Sequence, residues 1–181
     1  MLRPLALVRH TAPLALLLLF GCGPDRDQFA PVCPTVAFLQ PAADLSVYRP
    51  GGNGRDLTDL QLLGRVESIN GQCERGDDKN KLNTKVTVGV SLMRGPAMPG
   101  SQVNVPIFVA VTEGDRILDK HVYTLHGEFP SNVDRLTLAS PEVDMTLPVS
   151  QTKSGAAYTV LAGFQLTPEQ LAANRARAAG Q

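Results

Sequence analysis

The stretch Val86-Thr87-Val88-Gly89-Val90-Ser91-Leu92 decides the fold class. In an extended chain successive side chains point to opposite faces, so Val86, Val88, Val90 and Leu92 share one side while Thr87, Gly89 and Ser91 share the other. Valine is stiff at its first side-chain torsion and packs well on a pleated surface, whereas a helix would scatter these four around its circumference. The reading is a strand with one apolar face. Such a face needs a second layer to cover it.

Working outward, Arg94-Gly95-Pro96-Ala97-Met98-Pro99-Gly100 breaks the strand, and Val103, Val105, Ile107, Val109 and Val111 form a second alternating set. Glu113-Gly114-Asp115 has turn chemistry, and Ile117 to Leu125 returns as the other arm of an antiparallel hairpin. Beyond the turn Pro130-Ser131-Asn132, alternation resumes at Val143, Met145, Leu147 and Val149, and again at Tyr158, Val160, Ala162, Phe164 and Leu166. Upstream, Val36 to Leu39 is a short first strand and Tyr48 to Gly54 a loop. Leu62 to Cys73 is extended, with Asn70-Gly71 as either a hairpin turn or a bulge, and Glu74 to Asn80 is a polar turn. Six or seven strands without intervening helices predict an all-β fold over 33–166, an antiparallel immunoglobulin-like or fibronectin-like β-sandwich. A small closed β-barrel is the alternative. The end of the chain, 167–181, differs: Thr167-Pro168-Glu169-Gln170 is a capping-box start for a short helix reaching about Ala179, with Leu171 to dock it and Arg175 and Arg177 suiting its carboxyl end.

Composition agrees with this class. With 181 residues and 43% hydrophobic content the chain can bury one core, and 16 Gly with 14 Pro supply turns for many short strands. Lys plus Arg and Asp plus Glu each total 17, so there is no basic field for a nucleic-acid backbone. No nucleic-acid partner is expected.

Residues 1–21 have the build of a secretory signal peptide: Arg3, Arg9 and His10 precede an apolar stretch from Thr11 to Phe20 that is too short for a permanent membrane helix. The end, Leu19-Phe20-Gly21-Cys22, resembles the lipobox of bacterial lipoproteins. That resemblance implies diacylglyceryl transfer to the Cys22 thiol, cleavage before it and acylation, including palmitate, at the new amino terminus. Several acyl chains make a stable anchor where one would be marginal. Loss of Arg3 and Arg9 with the leader would leave fifteen basic residues against seventeen acidic ones, a net of −2. Gly23 follows the Cys instead of the Asp associated with inner-membrane retention, so the resemblance implies an outer-membrane location facing the periplasm. Residues 22–32 read as a lipidated tether without periodicity. The segments Ile117-Leu118-Asp119-Lys120 and Gly163 to Leu171 also resemble uncharacterised proteobacterial envelope lipoproteins, a likeness that brings no activity with it.

With Cys22 assigned to lipid, Cys33 and Cys73 remain as a pair that an oxidising compartment allows to form a disulfide. The alternative is two separate buried thiols. No CxxC occurs, and His121 and His126 stand in no zinc spacing with the cysteines, so no metal is expected. Both histidines flank the predicted strand from Ile117, without a Gly-x-Ser-x-Gly elbow or comparable nucleophile, and they read as surface or structural groups. Asp77, Asp78, Asp115 and Asp119 lack EF-hand spacing and read as turn residues. The Gly-rich segments 51–54 and 95–100 lack the Lys-Ser/Thr of a phosphate loop.

These readings point to no enzyme and no cofactor. The expected role is a membrane-anchored envelope lipoprotein acting as a non-catalytic interaction or assembly module with an envelope protein partner. Either the terminal helix or an unpaired sandwich edge would offer the contact surface. The second expectation is a periplasmic small-ligand binder, which needs a concave apolar pocket. The third is an enzyme of a type the motifs do not reveal.

Overall fold

The computed structural model describes residues 31–52 and 56–180, so Cys22, the leader and most of the tether lie outside the described residues. Nine strands follow one another: β1 (Thr35–Phe38), β2 (Asp44–Tyr48), β3 (Leu60–Arg75), β4 (Lys81–Arg94), β5 (Gln102–Glu113), β6 (Arg116–Glu128), β7 (Arg135–Ala139), β8 (Val143–Pro148) and β9 (Thr159–Phe164). A single α-helix, α1 (Pro168–Ala179), closes the order among the described residues. The strands form two open sheets, β1-β9-β5-β6 and β2-β3-β4 with both β7 and β8 on the far side of β4. This is a β-sandwich, and neither sheet closes into a barrel.

The core sits where the alternation places it. Val86, Val88, Val90 and Leu92 of β4 are wholly buried, and they face a layer made by Val105, Ile107 and Val109 of β5 with Val160, Ala162 and Phe164 of β9. Each side chain withdrawn from water in this way contributes about 1.5–3 kcal/mol. Strand β5 is buried on its other face too, because Phe108 and Ala110 are covered by Ala42 and Leu166. Pro106 is tolerated in this central strand because β9 ends beside it. The Pro106 carbonyl accepts from the Gln165 amide at 2.9 Å, and its missing N–H falls where no strand asks for one.

Several sequence expectations need correction. There are nine strands among the described residues instead of six or seven, since β2 and β7 are separate elements. Strands β7 and β8 lie end to end along β4, split at Ser140-Pro141, and the Ser140 hydroxyl accepts from the Val88 amide at 3.0 Å across the break. Asn70-Gly71 is neither turn nor bulge; both residues lie inside β3, paired with Thr87 and Val86, and the register shift falls at Val66/Ser68. Gly71 is required there by a close approach, because a Cβ would come within 2.7 Å of Val36 Cγ1. The polar turn is shorter than expected, since β3 runs on through Arg75. One pair is parallel, β1 with β9, which lets the chain enter sheet one beside its last strand.

Helix α1 begins as its sequence requires. The Thr167 hydroxyl accepts from the Gln170 amide at 3.3 Å and the Gln170 side chain accepts from the Thr167 amide at 2.9 Å, with Pro168 at the first position. Docking differs from expectation: Ala173 is the buried residue, and Leu171 stays half-exposed. The contact is polar and lies along β2 and the turn before it.

Candidate functional site

His121 and His126 carry the groups most able to do acid–base work near neutral pH. Both lie on β6. His121 Nε2 is 2.8 Å from Asp119 Oδ2, and both side chains are more than half exposed. His126 Nδ1 is 2.7 Å from Asn104 Oδ1 on β5. The other oxygen of Asp119 accepts from the Lys120 amide at 2.8 Å, so the Asp–His pair folds over its own backbone. Asp77 and Asp78 fall in the tight turn before β4, where Asp78 accepts from the Asn80 amide at 3.0 Å. Among the described residues no three His, Cys, Asp or Glu side chains gather closely enough to hold a metal. Cys33 and Cys73 are bonded to each other, with 5.7 Å between their Cα atoms.

Two open concave surfaces border α1. One groove of about 470 Å³ runs between α1 and β2, lined by Val47, Tyr48, Gln170, Ala173 and Asn174. Its amides are already committed: Asn174 Nδ2 donates to the Asp44 carbonyl at 2.7 Å and the Pro41 carbonyl at 3.0 Å, and Gln170 Nε2 donates to the Ser46 carbonyl at 3.2 Å. A neighbouring depression of about 480 Å³ brings Arg65, Arg135 and Arg177 together with Asp44 and Glu67. Arg65 is spent on Asp44, 2.9 Å away.

The distinctive feature is how the four sheet edges are treated. In β2 the carbonyls of Asp44 and Ser46 point outward, since Ala43 O accepts from Val66 on the β3 side. Those two carbonyls are the ones that α1 satisfies, so the helix covers this edge with side-chain amides. Strand β1 is only four residues long. The edge made by β7 and β8 is interrupted at Ser140-Pro141 and ends on Pro148, both devices that blunt pairing.

Strand β6 is different. It is thirteen residues long, pairs with β5 on one side and, among the described residues, has no strand on the other. The Phe129 amide donates to Ser101 O, so from Asp119 to Gly127 the odd-numbered residues of β6 aim their backbone groups at β5 and the even-numbered ones aim outward. Asp119 caps the Lys120 amide. A register shift between Val111 and Thr112 places Leu118 as the extra residue near the hairpin tip. From there to Glu128 the edge is regular, presenting the outward amides and carbonyls of Val122, Thr124, His126 and Glu128. Val122 is 53% exposed and Ile117 63%, which gives the edge apolar side chains beside its polar backbone.

Sequence reading found β6 as a strand and named sandwich edges in general as contact surfaces. It could not say which strand is an edge, because neighbours in a sheet are set by the whole topology. The one local signal was that His121, Val122 and His126 sit in a run too polar to be central. Comparison with protein-family models, curated proteins and solved structures found no match.

Proposed function

We propose that this protein is a lipid-tethered, non-catalytic association module of the bacterial cell envelope, held by Cys22 and working by strand addition at β6. The observation that carries the reading is the contrast between edges: β2 is covered, β1 and β7/β8 are short or broken, and β6 is long, regular and open. An added strand would satisfy the outward backbone groups, and side chains on alternate positions would set specificity.

The position of the tether favours this use. Sheet one runs β1-β9-β5-β6, so the chain enters at one edge and the open strand is the other, about 14 Å away at the usual strand spacing. Eleven tether residues reach at most about 40 Å when extended, enough to hold the domain near a bilayer with β6 turned from the anchor.

The test is site-specific photo-crosslinking of the full chain in intact cells, with the reactive side chain at Val122 and a control at Thr146 on β8. Thr124→Pro removes one outward N–H while leaving every bond to β5 in place, a change that an edge strand accommodates. A discrete adduct from position 122, absent at 146 and lost with Thr124→Pro, is expected. No adduct at 122, or one indifferent to Thr124→Pro, overturns the strand-addition reading. Cys22→Ala should release the protein from washed membranes; unchanged attachment overturns the anchor.

A further inference from the structure

Resting on that reading, we propose that the strand received by β6 is β6 of a second copy of this chain, paired antiparallel about a twofold axis at Thr124, so that two four-stranded sheets become one. The argument is complementarity along the edge. Only residues whose backbone groups point outward can form the hydrogen-bonded pairs of such a ladder, and beyond the bulge of β6 these are the even-numbered ones from Lys120 to Glu128, the Lys120 amide exchanging its bond to Asp119 for one to the partner strand. An axis at Thr124 sets Lys120 opposite Glu128 of the other copy, Val122 opposite His126, and Thr124 opposite itself. Directly opposed residues share a face, so the ammonium and the carboxylate meet on the outer face of the sheet at both ends of the ladder. Thr–Thr and opposite-charge pairs are among the cross-strand combinations that stabilise sheets. On the inner face Tyr123 lies opposite Leu125, an aromatic beside an aliphatic side chain.

Other registers lose this match. An axis at Val122 places Glu128 opposite Arg116, which Glu113 already holds at 2.8 Å, and leaves Lys120 opposite Thr124. An axis at Tyr123 puts Lys120 opposite His126 and Glu128 opposite the bulged Leu118. An axis at Lys120 sets two ammonium groups against each other. Lys120 stands on the outer face, its Nζ 4.7 Å from the centre of the Phe108 ring on β5, and would swing from that ring across the open edge to meet the partner's Glu128.

The register makes the test sharp. Cα atoms opposite each other in a hydrogen-bonded antiparallel pair are about 5.5 Å apart, within the span of a disulfide. The full chain carrying Thr124→Cys, oxidised in intact cells and run without reductant, is expected to give a species of twice the chain mass. Its yield should exceed that of Ser131→Cys, an exposed turn control, or of the unaltered chain, by at least about tenfold. Val122→Cys alone should stay at the control level, while Val122→Cys and His126→Cys chains bearing different tags should crosslink to each other when produced together. A Thr124→Cys yield no higher than that of Ser131→Cys overturns the second-copy proposal. If Val122 still captures a different protein, strand addition stands and only the identity of the partner falls; if Val122 captures nothing, both fall.

Discussion

Thr84 is the residue at which this sandwich departs most from its own pattern. It occupies an inward position of β4 between Leu82 and Val86, is 1% exposed, and its hydroxyl has no hydrogen-bond partner. Its cross-strand neighbours are Cys73 and Met145, neither of which offers a strong acceptor. A buried polar group without a partner costs about 1–3 kcal/mol, so exchanging the hydroxyl for a methyl at constant shape removes a penalty without opening a cavity. Thr84→Val should therefore raise the stability of the folded protein by about 1 kcal/mol in urea unfolding, with an unchanged slope. A fall in stability would show that the hydroxyl is bonded in solution. The residue scale also sets how much was legible: Val86 to Leu92 announced their burial by alternation, but Gly71 looked like a turn. Its purpose is to leave room for Val36, a contact from 35 residues earlier in the chain that no local pattern encodes.

Among the elements, the β5–β6 hairpin is fastened at its tip by charge. Glu113 receives Lys153 Nζ at 2.6 Å and Arg116 Nη2 at 2.8 Å, and Lys153 in turn lies 4.6 Å from the ring of buried Tyr158. The hydrogen bond from Lys153, then that from Arg116, holds the Glu113 carboxyl below its ordinary pKa, while the bond to Glu113 raises that of Lys153. A carboxylate with a lowered pKa in the folded state contributes stability that is present above its unfolded pKa and is lost as pH falls through the folded value. The stability difference between the natural chain and Glu113→Gln should thus be largest near neutrality and shrink as pH falls below about 5. Thermal midpoints of the two proteins across that range check this, and a difference that stays constant to pH 3 would show that the carboxylate charge plays no part. Lys153 was invisible as part of this fastening in the sequence, since 40 residues separate it from Glu113. The helix cap, by contrast, was fully legible, because Thr167, Pro168 and Gln170 act within one turn. What α1 covers was not, since the Asp44 and Ser46 carbonyls become an edge only after β2 has paired with β3.

For the whole molecule, the disulfide decides whether the tethered end of the chain stays part of the sandwich. Cys33 precedes β1, and Cys73 lies near the far end of β3, so the bond closes 40 residues and ties the entering chain to the longest strand. Without it the amino-terminal segment is held by four residues of parallel pairing to β9, by Val36 lodged against Gly71, and by the Val32 carbonyl seated against Gly155, where a Cβ would come within 2.1 Å. Closing a loop of that length is worth about 3–4 kcal/mol on the chain-entropy estimate. At 2–4 °C per kcal/mol for a domain of this size, paired Cys33→Ser and Cys73→Ser substitutions should lower the melting temperature by about 10 °C. If the domain hangs from Cys22, as proposed, any pull on the tether arrives at Cys33 and passes through the sulfur bridge into β3 instead of peeling β1 from β9. Limited proteolysis of the disubstituted protein should therefore cut first around residues 31–38, before the rest of the sandwich opens. An unchanged melting temperature together with an uncut amino-terminal segment would show that Val36 and the β1–β9 pairing alone hold the entry to the fold.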